Sequence, residues 1–226
     1  MNKSQLTNFI TKYTLGGEIK STKWTSNGDS LSTRFISGDK SVVGSVMLSK
    51  FNHLAPCELG VYNTGQLSSL LSVLGDDIEL NLSQSGDKFI SMEFEDTKRK
   101  TKSKYMLSDL SVIPTPPALK NLPDSFELGI KVDPYFVNTF ISGKGALSEA
   151  ETFTILTENG ETKIVIGYAS IASNRVTIPV ETTKQADIEP ISFNANMFAS
   201  ILNANKDCES ATLEVSSAGL SRIKFS

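Results

Sequence analysis

Residues 59–77 read Leu59-Gly60-Val61-Tyr62-Asn63-Thr64-Gly65-Gln66-Leu67-Ser68-Ser69-Leu70-Leu71-Ser72-Val73-Leu74-Gly75-Asp76-Asp77. A short strand-like run feeds Leu67, Leu70, Leu71 and Leu74, the i, i+3, i+4 spacing of one helix face, and the stretch closes on an acidic turn. The pattern returns 131 positions later, where Tyr62-Asn63 falls on Phe193-Asn194 and Leu67, Leu70 and Leu71 fall on Phe198, Ile201 and Leu202. The same offset carries Leu6, Phe9 and Ile10 onto Val137, Phe140 and Ile141. After a two-residue slip, Leu80–Ser83 matches Leu213–Ser216, Gly86 meets Gly219, and Ile90 and Met92 meet Ile223 and Phe225. One offset serving two separate helical patterns marks an internal duplication.

Each half then parses alike. Helices are expected at about 4–13, 64–74, 133–143 and 195–205, the third opened by Asp133 as N-cap and Pro134 at the first helical position. Period-two alternation marks strands at 30–36, 41–48, 78–82, 88–94, 153–156, 163–168 and 175–180. Asn27-Gly28, Ser85-Gly86-Asp87 and Glu158-Asn159-Gly160 are the turns between them. Between the halves lies Ile113-Pro114-Thr115-Pro116-Pro117, then Pro123. Prolines fix φ and cannot donate to a ladder, so the stretch reads as an extended connector. The expected organisation is a domain at 1–111, a connector at 112–124 and a second domain at 125–226.

Composition excludes several classes. Two cysteines far apart, Cys57 and Cys208, rule out a disulfide scaffold and a Cys-rich zinc site, and favour a reducing compartment. The only histidine, His53, lies in a loop-like stretch, and no acid–base–nucleophile set, P-loop or nucleophile elbow is visible. No catalytic, cofactor or metal residue is assigned; Asp76-Asp77 is read as turn chemistry and Trp24 as packing. Apolar runs are too short to span a membrane, and the N-terminus has no apolar signal core. The net charge is −3, with +1 on residues 1–111 and −4 on 112–226. Any nucleic-acid role must therefore rest on local placement of charge.

These features resemble the DNA sliding clamps, the polymerase processivity factors. The similarity is to the short two-domain clamps of T4-like bacteriophages, and more distantly to proliferating cell nuclear antigen. It is carried by Leu59–Asp77, by the connector 112–124, and by Phe193–Asp207 with the ending Gly219-Leu-Ser-Arg-Ile-Lys-Phe. The resemblance implies an α+β clamp fold of two duplicated domains, each with two helices on antiparallel sheets, closing as a homotrimeric ring with helices lining the hole. It implies a non-enzymatic tether that encircles double-stranded DNA without reading sequence and holds a DNA polymerase on it. It further implies an ATP-dependent clamp loader, a docking role in late transcription, and a host-cell cytoplasmic location.

The helix faces turned from the core fit that role. Asn8, Thr11 and Lys12 lie on the first; Ser68, Ser69 and Ser72 on the second; Asn138, Thr139 and Ser142 on the third, with Lys144 beyond; Asn196, Ser200, Asn203 and Lys206 at the fourth. These faces lack Asp and Glu. The expected DNA-facing set is Lys12, Lys144, Lys206, Asn8, Asn138 and Asn203, with Lys20 and Lys23. Lysines ending helices also answer the helix dipole, so a plain solvated face is the competing reading. The basic run Lys98–Lys104 reads either as a phosphate contact or as an edge strand guarded by lysines. By position in the family, a partner's hydrophobic peptide would dock against Val42, Val43, Ile113, Leu119, Leu122, Ile223 and Phe225; the competing reading is that they cover a seam. The alternative functions are a processivity subunit that does not form a ring, and a duplicated β-rich virion structural protein.

Overall fold

The computed structural model describes residues 1–120 and 122–226; Asn121, within the expected connector, lies outside the described residues. The chain divides into two compact units, Met1–Ala118 and Leu119–Ser226, and the division falls within the proline-rich stretch.

In the first unit the order is α1 (Lys3–Thr14), β1 (Thr22–Ser26), β2 (Ser30–Ile36), β3 (Val43–Ser49), β4 (Cys57–Val61), α2 (Thr64–Ser72), β5 (Ile78–Ser85), β6 (Lys88–Asp96) and β7 (Lys102–Met106). Its strands form two antiparallel sheets, β3-β2-β1-β4 and β5-β6-β7. The apolar stripe of α1, namely Leu6, Phe9, Ile10 and Tyr13, is buried as its spacing requires. Trp24 of β1 packs edge-on against Phe9 and Tyr13 with centroids 5.4 and 6.4 Å away. The Trp24 indole N–H donates to the Tyr13 hydroxyl at 3.2 Å, and that hydroxyl lies 3.1 Å from Thr64 Oγ1 at the start of α2. One buried polar chain thus joins α1, β1 and α2 with each group satisfied. Burial drives the Tyr13 phenol well above its ordinary pKa, so it stays protonated.

The second unit runs β8 (Leu128–Val132), α3 (Pro134–Ala146), β9 (Thr152–Glu158), β10 (Glu161–Ile166), β11 (Val176–Pro179), β12 (Thr182–Lys184), β13 (Ile191–Asn194), α4 (Ala195–Ala204), β14 (Ala211–Ser216) and β15 (Leu220–Phe225). Its sheets are β11-β10-β9-β13 and β12-β8-β14-β15. The core is aromatic: Phe140 packs against Phe153 at 5.1 Å and Phe198 at 4.9 Å.

The duplication is visible in the register. Trp24 pairs with Thr33 in the first unit and Ile155 with Ile164 in the second, each residue shifted by 131. The helix starts repeat as well. Asn63 and Asn194 accept the amides of Gln66 and Met197 at 3.0 and 2.9 Å. Asn2 and Asp133 accept those of Ser4 and Phe136, each at 2.9 Å. One correction concerns the last hairpin. Leu80 pairs with Phe94, whereas Leu213 pairs with Ile223, so Ile223 is the counterpart of Phe94 and Phe225 of Asp96. The sequence match of Ile90 and Met92 to Ile223 and Phe225 is displaced because the β5/β6 hairpin is four residues longer and carries a bulge at Ser83/Gln84.

If the two strand-to-helix caps are equivalent, Asn63→Ala and Asn194→Ala each lower the unfolding free energy by about 1 kcal/mol. Urea denaturation of the two variants reads this; a loss at only one of them contradicts the equivalence.

Candidate nucleic-acid interface

No Asp or Glu occurs in α1, α2, α3 or α4, although the chain carries 25. The positions left outside the apolar stripes are mostly Asn, Gln, Ser, Thr and Lys. Asn8 and Thr11 on α1, Ser69 and Ser72 on α2, Asn138 and Ser142 on α3, and Asn196 and Asn203 on α4 are all exposed. Several hydroxyls on these helices donate back to their own helix: Thr11 to Thr7 O at 2.9 Å, Ser69 to Gly65 O at 3.0 Å, Ser72 to Ser69 O at 2.7 Å and Thr139 to Tyr135 O at 2.8 Å. Their O–H protons are thereby used, which leaves lone pairs facing out.

The lysines divide into three groups. Lys20 and Lys206 are exposed. Lys20 sits beside the start of α2, its carbonyl accepting the Thr64 amide at 3.0 Å. Lys12, in the last turn of α1, is half-buried. One expectation needs correction. Lys144 does not extend from the end of α3; it is buried, and its Nζ donates to the carbonyls of Ser148 at 2.8 Å and Leu147 at 3.3 Å. The helix ends in orphan carbonyls, and the ammonium satisfies two in the following turn. Lys23 lies on β1 beside inward-facing Trp24, so it projects from the sheet face opposite α1, and its Nζ is 2.7 Å from Glu58 Oε1. Strand alternation sends Lys23 and Trp24 to opposite faces.

The basic run forms the β6/β7 turn and the edge strand β7. Its charges meet acids on the neighbouring strand and turn: Lys104 with Glu93 at 3.0 Å, Lys102 and Lys100 with Glu95 at 3.2 and 3.6 Å, and Lys98 with Asp77 at 3.1 Å. This is the pattern of a guarded edge. Asp96 closes the turn, accepting the amides of Gly75 at 2.7 Å, Lys98 at 2.8 Å and Arg99 at 2.9 Å. A Cβ on Gly75 would lie 2.5 Å from Asp96 Oδ2, so only glycine allows that approach.

Of the expected docking residues, Val42 and Val43 are half-buried at the start of edge strand β3. Leu119 and Leu122 are exposed, at 52% and 38%. Ile223 and Phe225 are half-buried on edge strand β15 and pack on the second unit's core. Ile113 is a correction: it is buried, close to Gly60, and belongs to the core of the first unit. Two of the exposed aromatics were given no site role by the sequence. Tyr62 precedes the α2 cap and Tyr135 is the second residue of α3. Both fall outside the apolar spacing, which was the one available signal. His53 is exposed, with its ring 5.2 Å from Phe51. Cys57 and Cys208 are half-buried thiols. Among the described residues no helix is long and apolar enough to cross a membrane, and no three His, Cys, Asp or Glu gather as metal ligands.

No family model matches the chain, and no curated protein matches it either. Among solved structures it is similar to the proliferating cellular nuclear antigen of Entamoeba histolytica. Identity is 14%, the TM-score is 0.66, and the match covers 100% of this chain and 91% of that one. The chain therefore has the clamp fold, with helices and antiparallel sheets in each unit.

Two outcomes follow from the side-chain geometry. Backbone amides of Arg99, Gly75 and Lys98 hold the Asp96 carboxyl below its ordinary range. Its contribution is therefore complete above the ordinary carboxylate pKa of about 4 and is lost as pH falls through the lowered value. Asp96→Asn should lower the melting temperature at pH 7 and shrink the difference from wild type as the pH falls below about 4. Lys144→Met should cost about 1–2 kcal/mol in urea denaturation, because buried carbonyls lose their donor; an unchanged midpoint would refute the inward placement.

Proposed function

We propose that this chain is a sliding clamp that closes as a homotrimer around double-stranded DNA and tethers a DNA polymerase for processive synthesis. The observation that carries the reading is the acid-free polar face on all four helices of a duplicated clamp fold, in a chain that is acidic overall. A polyanion beside those helices meets few repelling charges and little that grips it. Phosphate contact falls to Lys12, Lys20 and Lys206, with Asn8, Asn138 and Asn203 as neutral neighbours. Contacts of that kind position a duplex without specifying its sequence.

The finer reading is a clamp of the T4-like phage type. It is loaded by a separate ATP-driven loader, serves as a docking platform in late transcription, and works in the reducing cytoplasm of the host cell. Exposed Leu119 and Leu122 lie beside the prolines, Val42 and Val43 lie at the start of an edge strand of the first unit, and Ile223 and Phe225 lie on an edge strand of the second; each is an apolar group of the kind a partner's hydrophobic peptide would use. The docking set omits Ile113, and the phosphate set omits Lys144 and Lys23. The acidic balance disfavours the processivity subunit that holds DNA by charge alone.

Light scattering on the purified chain should return about three times 24.5 kDa. After loading, the protein should stay on circular DNA and run off linear DNA. Lys20→Ala with Lys206→Ala should weaken binding to open linear duplex, whereas Lys23→Ala should leave it unchanged, and neither should shorten retention on the circle. A monomer at micromolar concentration, or equal retention on both DNA forms, would overturn the reading.

A further inference from the structure

The proline-rich connector is fastened to the first unit at two points. The first is Gly60 of β4. The Ser108 amide donates to Gly60 O at 2.9 Å, and the buried Ile113 side chain brings its Cγ1 to 3.5 Å from where a Cβ on Gly60 would stand. The Ile113 amide is itself used, donating to Leu110 O at 3.2 Å. Past Ile113 the backbone has little to bond with, because Pro114, Pro116 and Pro117 carry no N–H. Among the described residues, 114–118 take part in one hydrogen bond, and it is the second fastening: Arg34 Nη2 on β2 donates to Pro117 O at 2.7 Å.

The two fastenings belong to one row of the sheet. Gly60 pairs with Lys23 of β1, and Lys23 pairs with Arg34 of β2, so all three lie on the face turned from Trp24 and α1. Lys23 and Arg34 are exposed on that face, whereas Gly60 is buried where Ser108 and Ile113 cover it. The lengths agree. Two strand spacings are about 10 Å. A residue before proline is steered to extended backbone, and four such residues, from Ile113 to Pro117, rise about 12 Å. The charges explain why Arg34 reaches for a carbonyl. Its neighbour across the ladder is a second cation, Lys23, which is drawn to Glu58 at 2.7 Å. On its other side in the row stands Ser45, so no carboxylate is offered to the guanidinium there. Like charges set opposite each other repel, and the Pro117 carbonyl gives one of them an acceptor.

We propose that Arg34 is the positioning residue of the connector: with Ile113 as the fixed end, its guanidinium latches the proline segment 114–118 as a strap across β1 and β2. Held at both ends, the strap presents exposed Pro114, Thr115 and Pro117 in one extended conformation. Released at Arg34, the same segment keeps only the stiffness of its prolines and pivots about Ile113. A partner segment that meets a held strap has less ordering left to do, so the latch sets how strongly the connector can be used as a docking element. That use rests on the docking role proposed above. The latch itself lies wholly within the first unit and stands whether or not that role or ring closure holds.

The test is nitrogen-15 relaxation on the full chain, read at the Thr115 and Ala118 amides, in wild type, Arg34→Met and Arg34→Lys. Methionine keeps an unbranched apolar stem and removes every donor; lysine keeps a cationic donor. The wild-type order parameters should lie near the rigid value of about 0.85, and Arg34→Met should drop both below about 0.6. Arg34→Lys should retain at least half of the difference. The amides of β2 and the midpoint of urea denaturation should be the same in all three proteins, because the side chain is exposed and its strand pairing is untouched. A wild-type strap already below about 0.6, or equal order in wild type and Arg34→Met, overturns the proposal. So does an Arg34→Lys strap as loose as that of Arg34→Met, or a loss of order shared with β2 and accompanied by a lower urea midpoint, since the arginine would then support the strand and not the strap. No partner and no DNA enter the measurement, so failure of the docking reading cannot be mistaken for failure of the latch.

Discussion

The architecture of each unit depends on a side-chain oxygen at the junction where a strand becomes a helix. A helix leaves its first amides without partners, and a helix springing directly from a sheet has little loop in which to hide them. Asn2, Asn63, Asp133 and Asn194 each supply an acceptor for one of those amides. The cap also fixes the rotation of the first turn. Once Asn63 holds Gln66, Leu67 and Leu71 are committed to the interior. Once Asn194 holds Met197, Phe198 and Leu202 are. With the apolar stripe committed inward, the uncharged remainder must face away, so the polar helix face is a consequence of the same bond.

The helices were legible because their stripes are long and regular, and ends differed from expectation by three residues at most. The hairpin β9/β10 was legible because Glu158-Asn159-Gly160 stands between alternating arms, and Asn27-Gly28 marked the turn into β2. Strands β1, β8, β12 and β13 were not singled out. They are short, and β8 in particular is buried almost throughout, so its residues do not alternate and no period appears. The site was legible as a composition and less so as a set of residues. Lys144 follows Gly143 at the end of an apolar helix, and sequence spacing cannot say whether a long side chain turns back to cap carbonyls or reaches out. Ile113 precedes a proline in a stretch that reads as a surface connector. Its burial rests on Gly60, a contact 53 positions away that no local pattern records.

Sheet edges carry the remaining individuality of the two halves. The shared strands repeat with the same order, and among the described residues β7 borders β6 in the first unit while β12 and β8 border β14 in the second. Duplication thus conserved the helix-bearing framework and left the outer strands free to differ. An edge either repels other strands or invites them. The ion-paired lysines of β7 belong to the first kind.

The electrostatics of the helices point the same way as their caps. Of the three lysines in helices, Lys3 donates to the Leu74 carbonyl past the end of α2, and Lys144 to the carbonyls past the end of α3. Their charge is spent on peptide dipoles within the unit, and Thr11, Ser69, Ser72 and Thr139 have spent their protons the same way. What remains outward is mostly lone pairs and amides, with a few cations at the margins. The affinity of such a surface for a polyanion scales with the few phosphates it neutralises, so it varies weakly with salt compared with a protein that grips by many lysines. Weak adhesion and the absence of repulsion are separate properties, and this chain has both: its acids lie outside the helices, and its helical bases are largely turned to structural use. A surface of that kind holds DNA for long only if geometry prevents escape, which is why enclosure, and not attraction, is the physical content of the clamp reading.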